Sequence, residues 1–145
     1  MAHAENEITI DRPATEVFDF LADGLNNTKW RPGVRSIGLA SGVPGTVGAV
    51  YSQTLAGPRG RPIQGDYRIT AADRGQVLGF QVIAGPARPE GSYVFTETQG
   101  RTTVRFILDL KKPAGLMKVL DGLITRTMQA EVAQLSNLKA VIEAG

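Results

Sequence analysis

From Leu116 to Ile142 the apolar residues recur on a single helical stripe. Leu116, Leu120, Leu123, Ile124, Met128, Val132, Leu135, Leu138 and Ile142 keep the helical period, while Lys118, Arg126, Gln129 and Lys139 take the opposite face. At 1.5 Å per residue, some 28 residues make a helix of roughly 42 Å. No heptad pattern supplies it with a partner helix. Its stripe must therefore be covered by the rest of the chain, most cheaply by the concave face of a sheet.

The sheet precedes that helix. Residues 34–40, 47–55, 63–72, 77–84, 93–99 and 101–110 read as strands, divided by Gly- and Pro-containing breakers. Links this short force antiparallel pairing, because parallel strands need long crossovers. On the last strand Val104, Phe106, Leu108 and Leu110 share a face, leaving Arg105 and Asp109 on the other. Tyr67 with Ile69, Leu78 with Phe80 and Val82, and Tyr93 with Phe95 form further inward sets. Ahead of the sheet, Ile8 and Ile10 alternate with polar residues as a short strand. Pro13 then opens a helix whose apolar stripe is Val17, Phe18, Leu21 and Ala22. Gly24 stops it. Residues 25–30 suit a further helical turn, closed by Arg31-Pro32-Gly33.

Composition removes whole classes of chemistry. The 145 residues form one expected domain, 1–145, large enough to bury a core without staples. There is no cysteine, so disulfides, thiolate metal sites, iron–sulfur clusters and cysteine nucleophiles are excluded. The only histidine is His3, so any triad or imidazole metal site would have to use it. No metal and no cofactor is implied. Net charge is +2 and aromatics are 6% without a basic stripe, which argues against nucleic acid. No apolar run is long enough for a membrane span, and the opening MAHAENE lacks the core of a signal peptide. A cytoplasmic setting is the expectation, and lack of cysteine agrees with it. Phosphate-loop and dinucleotide motifs are absent as strand-to-helix turns.

The order strand, helix, short helix, six strands, long helix resembles the START-like superfamily, also called Bet v 1-like or SRPBCC, and within it the polyketide cyclase/dehydrase group. The resemblance is carried by Ile8 to Asp23 (ITIDRPATEVFDFLAD), by Asn27 to Val34 around Trp30 (NTKWRPGV), and by Gly45-Thr46-Val47-Gly48 and Val77-Leu78-Gly79-Phe80. It covers nearly the whole chain. It implies a helix-grip fold of the α+β class: a curved antiparallel seven-stranded sheet around a long C-terminal helix, with two short helices after the first strand. It also implies an apolar cavity between sheet and helix.

A strongly curved sheet and a straight helix cannot touch along their full length, and such gaps take small ligands. The N-terminal half of the helix offers Leu116, Met117, Leu120, Ile124 and Met128 to that gap. The strands offer Phe80 and Phe106, and the polar groups Tyr51, Gln53, Tyr67, Gln81 and Tyr93. Trp30 is expected near the mouth by the family resemblance. Arg31 and Arg35 read as solvated, and residues 57–62 as an exposed loop. No inward carboxylate pair supports acid–base work, and a tyrosine of ordinary pKa near 10 is a poor base.

The leading expectation is a binder of a small hydrophobic or amphipathic ligand, such as a lipid, polyketide or aromatic metabolite. One alternative is a polyketide cyclase or dehydratase using Tyr51, Tyr67 and Tyr93 as hydrogen-bond donors. Another is a protein-interaction module. Monomer and homodimer both stay open.

Overall fold

The computed structural model describes residues 2–85, 87–111 and 117–145, with the side chains of 58 and 117–124 outside that description. Eight strands form a sheet: β1 (Ala2–Ile10), β2 (Val34–Ser41), β3 (Val50–Ala56), β4 (Pro62–Gln64), β5 (Tyr67–Asp73), β6 (Val77–Val82), β7 (Glu90–Thr98) and β8 (Arg101–Leu110). Seven follow one another in the order β1-β8-β7-β6-β5-β3-β2, and β4 pairs with β3 off that path. Every pairing is antiparallel. This is the helix-grip architecture, with the short β4 added.

The inner face of β8 follows its alternation. Val104, Phe106, Leu108 and Leu110 are buried, while Arg105 on the outer face reaches Glu5 at 2.6 Å. β1 starts at Ala2, well before the Ile8–Ile10 alternation, and runs beside β8 from Ala2 opposite Leu110 to Ile10 opposite Thr102. Its first half buries only Ala2 and Ala4. Alanine is a weak strand former, so pairing with β8 rather than propensity makes this segment extended.

The stretch 63–72 is not one strand. Gly65 and Asp66 interrupt it, leaving β4 and β5 on either side. The Asp66 carboxylate accepts from the Gln53 backbone N–H at 3.0 Å, and the Gly65 N–H donates to the Gln53 carbonyl at 2.8 Å. A Cβ at Gly65 would lie 2.6 Å from Leu55 Cδ1, so a larger residue there requires the Leu55 side chain to shift. A second irregularity falls between Ile69 and Ala71 on β5. That extra residue reverses the parity of β5, so that Ala72 stands opposite Leu78 and packs against the core.

Helix α1 (Ala14–Ala22) turns Ala14, Val17, Phe18, Leu21 and Ala22 inward. A 3-10 turn at Gly24–Asn26 leads into the single turn α2 (Asn27–Trp30). The C-terminal helix consists of α3 (Met117–Val132) and α4 (Leu135–Ala144), separated by a turn at Ala133 and Gln134. At that turn the Val132 carbonyl accepts from the Asn6 side chain of β1 at 3.2 Å. The α4 end is held by the Lys139 ammonium, which donates to the Thr9 carbonyl at 2.7 Å. Leu135, Leu138 and Ile142 are buried and close this end of the core.

Candidate functional site: an apolar cavity with a polar corner

The concave sheet and α3 bound a cavity of about 400 Å³. Its sheet wall is largely aromatic. Tyr67 on β5, Phe80 on β6, Tyr93 on β7 and Phe106 on β8 line the cavity, and Tyr51 on β3, outside the lining, extends their unbroken run of ring contacts across successive strands. Tyr51 stacks on Tyr67 at 5.3 Å and Tyr93 on Phe106 at 4.4 Å between centroids. Phe80 fits because Gly91 of β7 leaves its side empty; a Cβ there would run into the Phe80 ring. Offset and edge-on pairs of this kind fix ring positions beyond what burial alone does.

One corner of this wall is polar. Asn27 and Arg31 lie four residues apart across α2, and the Arg31 N–H donates to the Asn27 carbonyl at 2.9 Å. Both side chains therefore leave the turn on one face and line the cavity. The Asn27 amide donates to Gln53 Oε1 at 3.1 Å and to the Tyr67 hydroxyl at 3.0 Å. Gln53 in turn donates to the Gly65 carbonyl at 3.3 Å. Arg31 Nη2 lies 2.5 Å from Glu131 Oε2 of α3. Arg31 is 9% exposed, and its Nε is buried without a hydrogen-bond partner among the described residues.

Burial opposes the Arg31 charge, but the Glu131 carboxylate outweighs it and leaves the guanidinium above its ordinary pKa. Burial also pushes both tyrosines up. For Tyr67 the neighbouring Tyr93 adds to the rise, against the Asn27 hydrogen bond. For Tyr93 the Arg31 charge pulls the other way. Both hydroxyls stay protonated over the physiological range and act as donors.

Of the strand and helix residues singled out by sequence, Gln53, Tyr67, Phe80, Tyr93, Phe106 and Met128 meet at this cavity. Three others stand elsewhere. Tyr51 is inward but one layer behind, its hydroxyl accepting from the Gly45 N–H at 3.1 Å and donating to the Ala22 carbonyl at 3.4 Å. Gln81 turns away, donating to the Val82 and Arg88 carbonyls at 3.0 and 2.9 Å. Trp30 packs edge-on behind Tyr93 and Phe106, both at 6.5 Å, and borders a shallow outer groove with Asn137 and Val141. Leu116 lies outside the described residues, as do the side chains of Met117, Leu120 and Ile124.

Arg31 corrects the sequence expectation outright. It is buried rather than solvated, because Glu131 supplies a counter-charge a hundred residues away in sequence. Arg35 is exposed as expected. Asn27, Arg31 and Glu131 are the polar residues that sequence reasoning missed. One signal was available: Glu131 is three residues after Met128 and four before Leu135, a carboxylate on the apolar stripe.

Fold and cavity together define a START-like helix-grip domain. The chain belongs to the family described as polyketide cyclase / dehydrase and lipid transport, whose profile matches residues 1–143. No curated protein matches it. Among solved structures it is similar to TTHA0849 from Thermus thermophilus, with TM-score 0.80 and 18% identity over 98% of this chain and 97% of that one. It is also similar to a START superfamily protein from Mycobacterium smegmatis, with TM-score 0.78 and 9% identity over 99% of each chain. The Zhui aromatase/cyclase from a Streptomyces species, R1128, matches with TM-score 0.74 and 18% identity over 98% of this chain and 92% of that one. At these identities the likeness is one of fold. Among the described residues no helix is long and apolar enough to cross a membrane.

Proposed function

We propose that this protein binds a small hydrophobic or amphipathic ligand in the cavity between its sheet and C-terminal helix. The observation that carries this reading is a cavity of about 400 Å³ walled by Leu, Ile, Val and aromatic side chains. Its volume falls within the range of roughly 300–1,000 Å³ typical of small-molecule sites. Burial of apolar ligand surface supplies affinity at roughly 25 cal/mol per Å², before the costs of association.

The test is a titration with N-phenyl-1-naphthylamine, a neutral dye that fluoresces in apolar surroundings. Saturable one-to-one enhancement is expected. Met128 lines the cavity and is buried, so Met128→Trp fills the space and is expected to weaken binding at least about tenfold with the circular dichroism spectrum kept. Dye binding that is absent, or indifferent to Met128→Trp, overturns the reading.

A second reading rests on the protonated hydroxyls of Tyr67 and Tyr93 on the wall that also holds Arg31. Donors of this kind polarise a ligand carbonyl and stabilise the negative charge that develops as it enolises. This is the arrangement a cyclase or dehydratase of polyketide-like chains would use. Turnover of such a chain that survives Tyr67→Phe with Tyr93→Phe removes this reading and leaves the binding one standing. Tyr51 has no part in it, since its hydroxyl is engaged by Gly45 and Ala22.

A further inference from the structure

The polar corner holds a complete ion pair and a tyrosine hydroxyl with no acceptor among the described residues. Arg31 and Glu131 neutralise one another at 2.5 Å, with side chains only 10% and 22% exposed. A buried pair of this kind is tolerated because each charge is compensated. Tyr93 lines the cavity, and its hydroxyl makes no hydrogen bond to a described residue. Arg31 Nε is buried and likewise unpartnered among the described residues. The corner therefore offers a hydrogen-bond donor while its charge is already balanced.

That balance discriminates between ligands. A ligand carboxylate would place a second anion beside Glu131, both competing for one guanidinium in a low-dielectric pocket. An ammonium would compete with Arg31 for Glu131 in the same way. A neutral oxygen acceptor would accept from the Tyr93 hydroxyl and leave the charge balance intact. We infer that the Arg31–Glu131 pair makes this cavity selective for neutral amphiphiles bearing a carbonyl-type oxygen, and that it rejects the corresponding carboxylates. Burial keeps Tyr93 protonated, so its donor role persists across the physiological pH range. The selectivity comes as much from the unfavourable contact it builds against anions as from the contacts it offers carbonyls.

This inference rests on the binding reading above, and the experiment separates the two. Decan-2-one and decanoate compete with N-phenyl-1-naphthylamine on the full chain at pH 8. Glu131→Gln removes the anion and leaves Arg31 unneutralised. It is expected to raise the affinity of decanoate relative to decan-2-one about tenfold. Tyr93→Phe removes only a hydroxyl that makes no hydrogen bond to a described residue. It is expected to lower the affinity of decan-2-one relative to the dye about fivefold. An unchanged decanoate ratio in Glu131→Gln overturns the inference. So does an unchanged decan-2-one ratio in Tyr93→Phe. If the wild-type chain does not bind the dye at all, the cavity reading falls, and this one falls with it.

Discussion

Gly24 sits directly against the hydroxyl of Tyr67. A Cβ at Gly24 would run into that hydroxyl and come within 2.8 Å of the Tyr51 ring. The turn between α1 and α2 thus passes over the first rings of the aromatic run with no space to spare. Gly24→Ala is expected to cost about 1–3 kcal/mol, the usual range for overpacking. In a Tyr67→Phe background the penalty should fall by about half, since the nearest obstacle is gone. Urea unfolding of the two single variants and the double variant measures this. An undiminished penalty would assign the obstruction to Tyr51 instead.

The Arg31–Glu131 pair gives a sharper asymmetry. Arg31→Met alone strands a half-buried carboxylate and should destabilise by about 1–3 kcal/mol. Arg31→Met combined with Glu131→Leu removes both charges and should recover most of that loss. A double variant as unstable as the single one would mean that packing of the long arginine stem, not charge compensation, is what the site needs.

Two tyrosines of like burial should behave differently. The Tyr67 hydroxyl accepts from Asn27 at 3.0 Å, so Tyr67→Phe should cost about 0.5–1.5 kcal/mol. Tyr93→Phe forfeits no hydrogen bond to a described residue and should stay within about 0.5 kcal/mol of wild type. Equal losses in thermal unfolding would contradict this assignment of their partners.

The outer face of β1 and β8 predicts a pH signature. Hydrogen bonds to the Asp109 and Glu5 carboxylates raise the His3 pKa above its ordinary 6.5. The histidine's stabilisation is therefore fully present below 6.5 and is lost as pH rises through the raised value. The carboxylates act in the opposite sense. Arg105 lowers Glu5 and Lys139 lowers Glu143, both from 4.5, so their contribution is present above 4.5 and fades as pH falls. Melting temperature followed from pH 3 to 9 should decline at both ends. In His3→Gln the alkaline-side decline from this cluster should disappear, while the acid-side decline is retained.

Alternation along β8 was enough to place Val104, Phe106, Leu108 and Leu110, because one buried face forces a strict period of two. The same parity put Tyr51 inward correctly and said nothing of depth. Its ring lies behind Tyr67, beneath the end of α1, and only the three-dimensional path of residues 22–45 decides that. Gln81 follows Phe80 directly, so with Phe80 inward its own side chain belongs outside, where the Arg88 carbonyl receives it. The break falls within Gln64-Gly65-Asp66, a polar triplet of turn character that the alternation of Tyr67 and Ile69 beyond it outweighs in a reading of 63–72 as one strand. Arg31 was the deepest miss, since its burial depends on a partner on α3 that no local pattern reveals.

The first strand and the last strand of this sheet are neighbours, with Ala2 opposite Leu110. A ribosome making about 5–20 residues per second therefore releases β1 some 5–20 seconds before the strand it pairs with exists. During that interval the aromatic run has neither its closing edge nor its helix. The nascent chain presents an unpaired sheet edge and an uncovered apolar surface, the condition under which chaperones are engaged and strands from separate chains associate. Expression at reduced temperature, or an early-binding hydrophobic ligand in the growth medium, acts on this window rather than on the stability of the finished molecule.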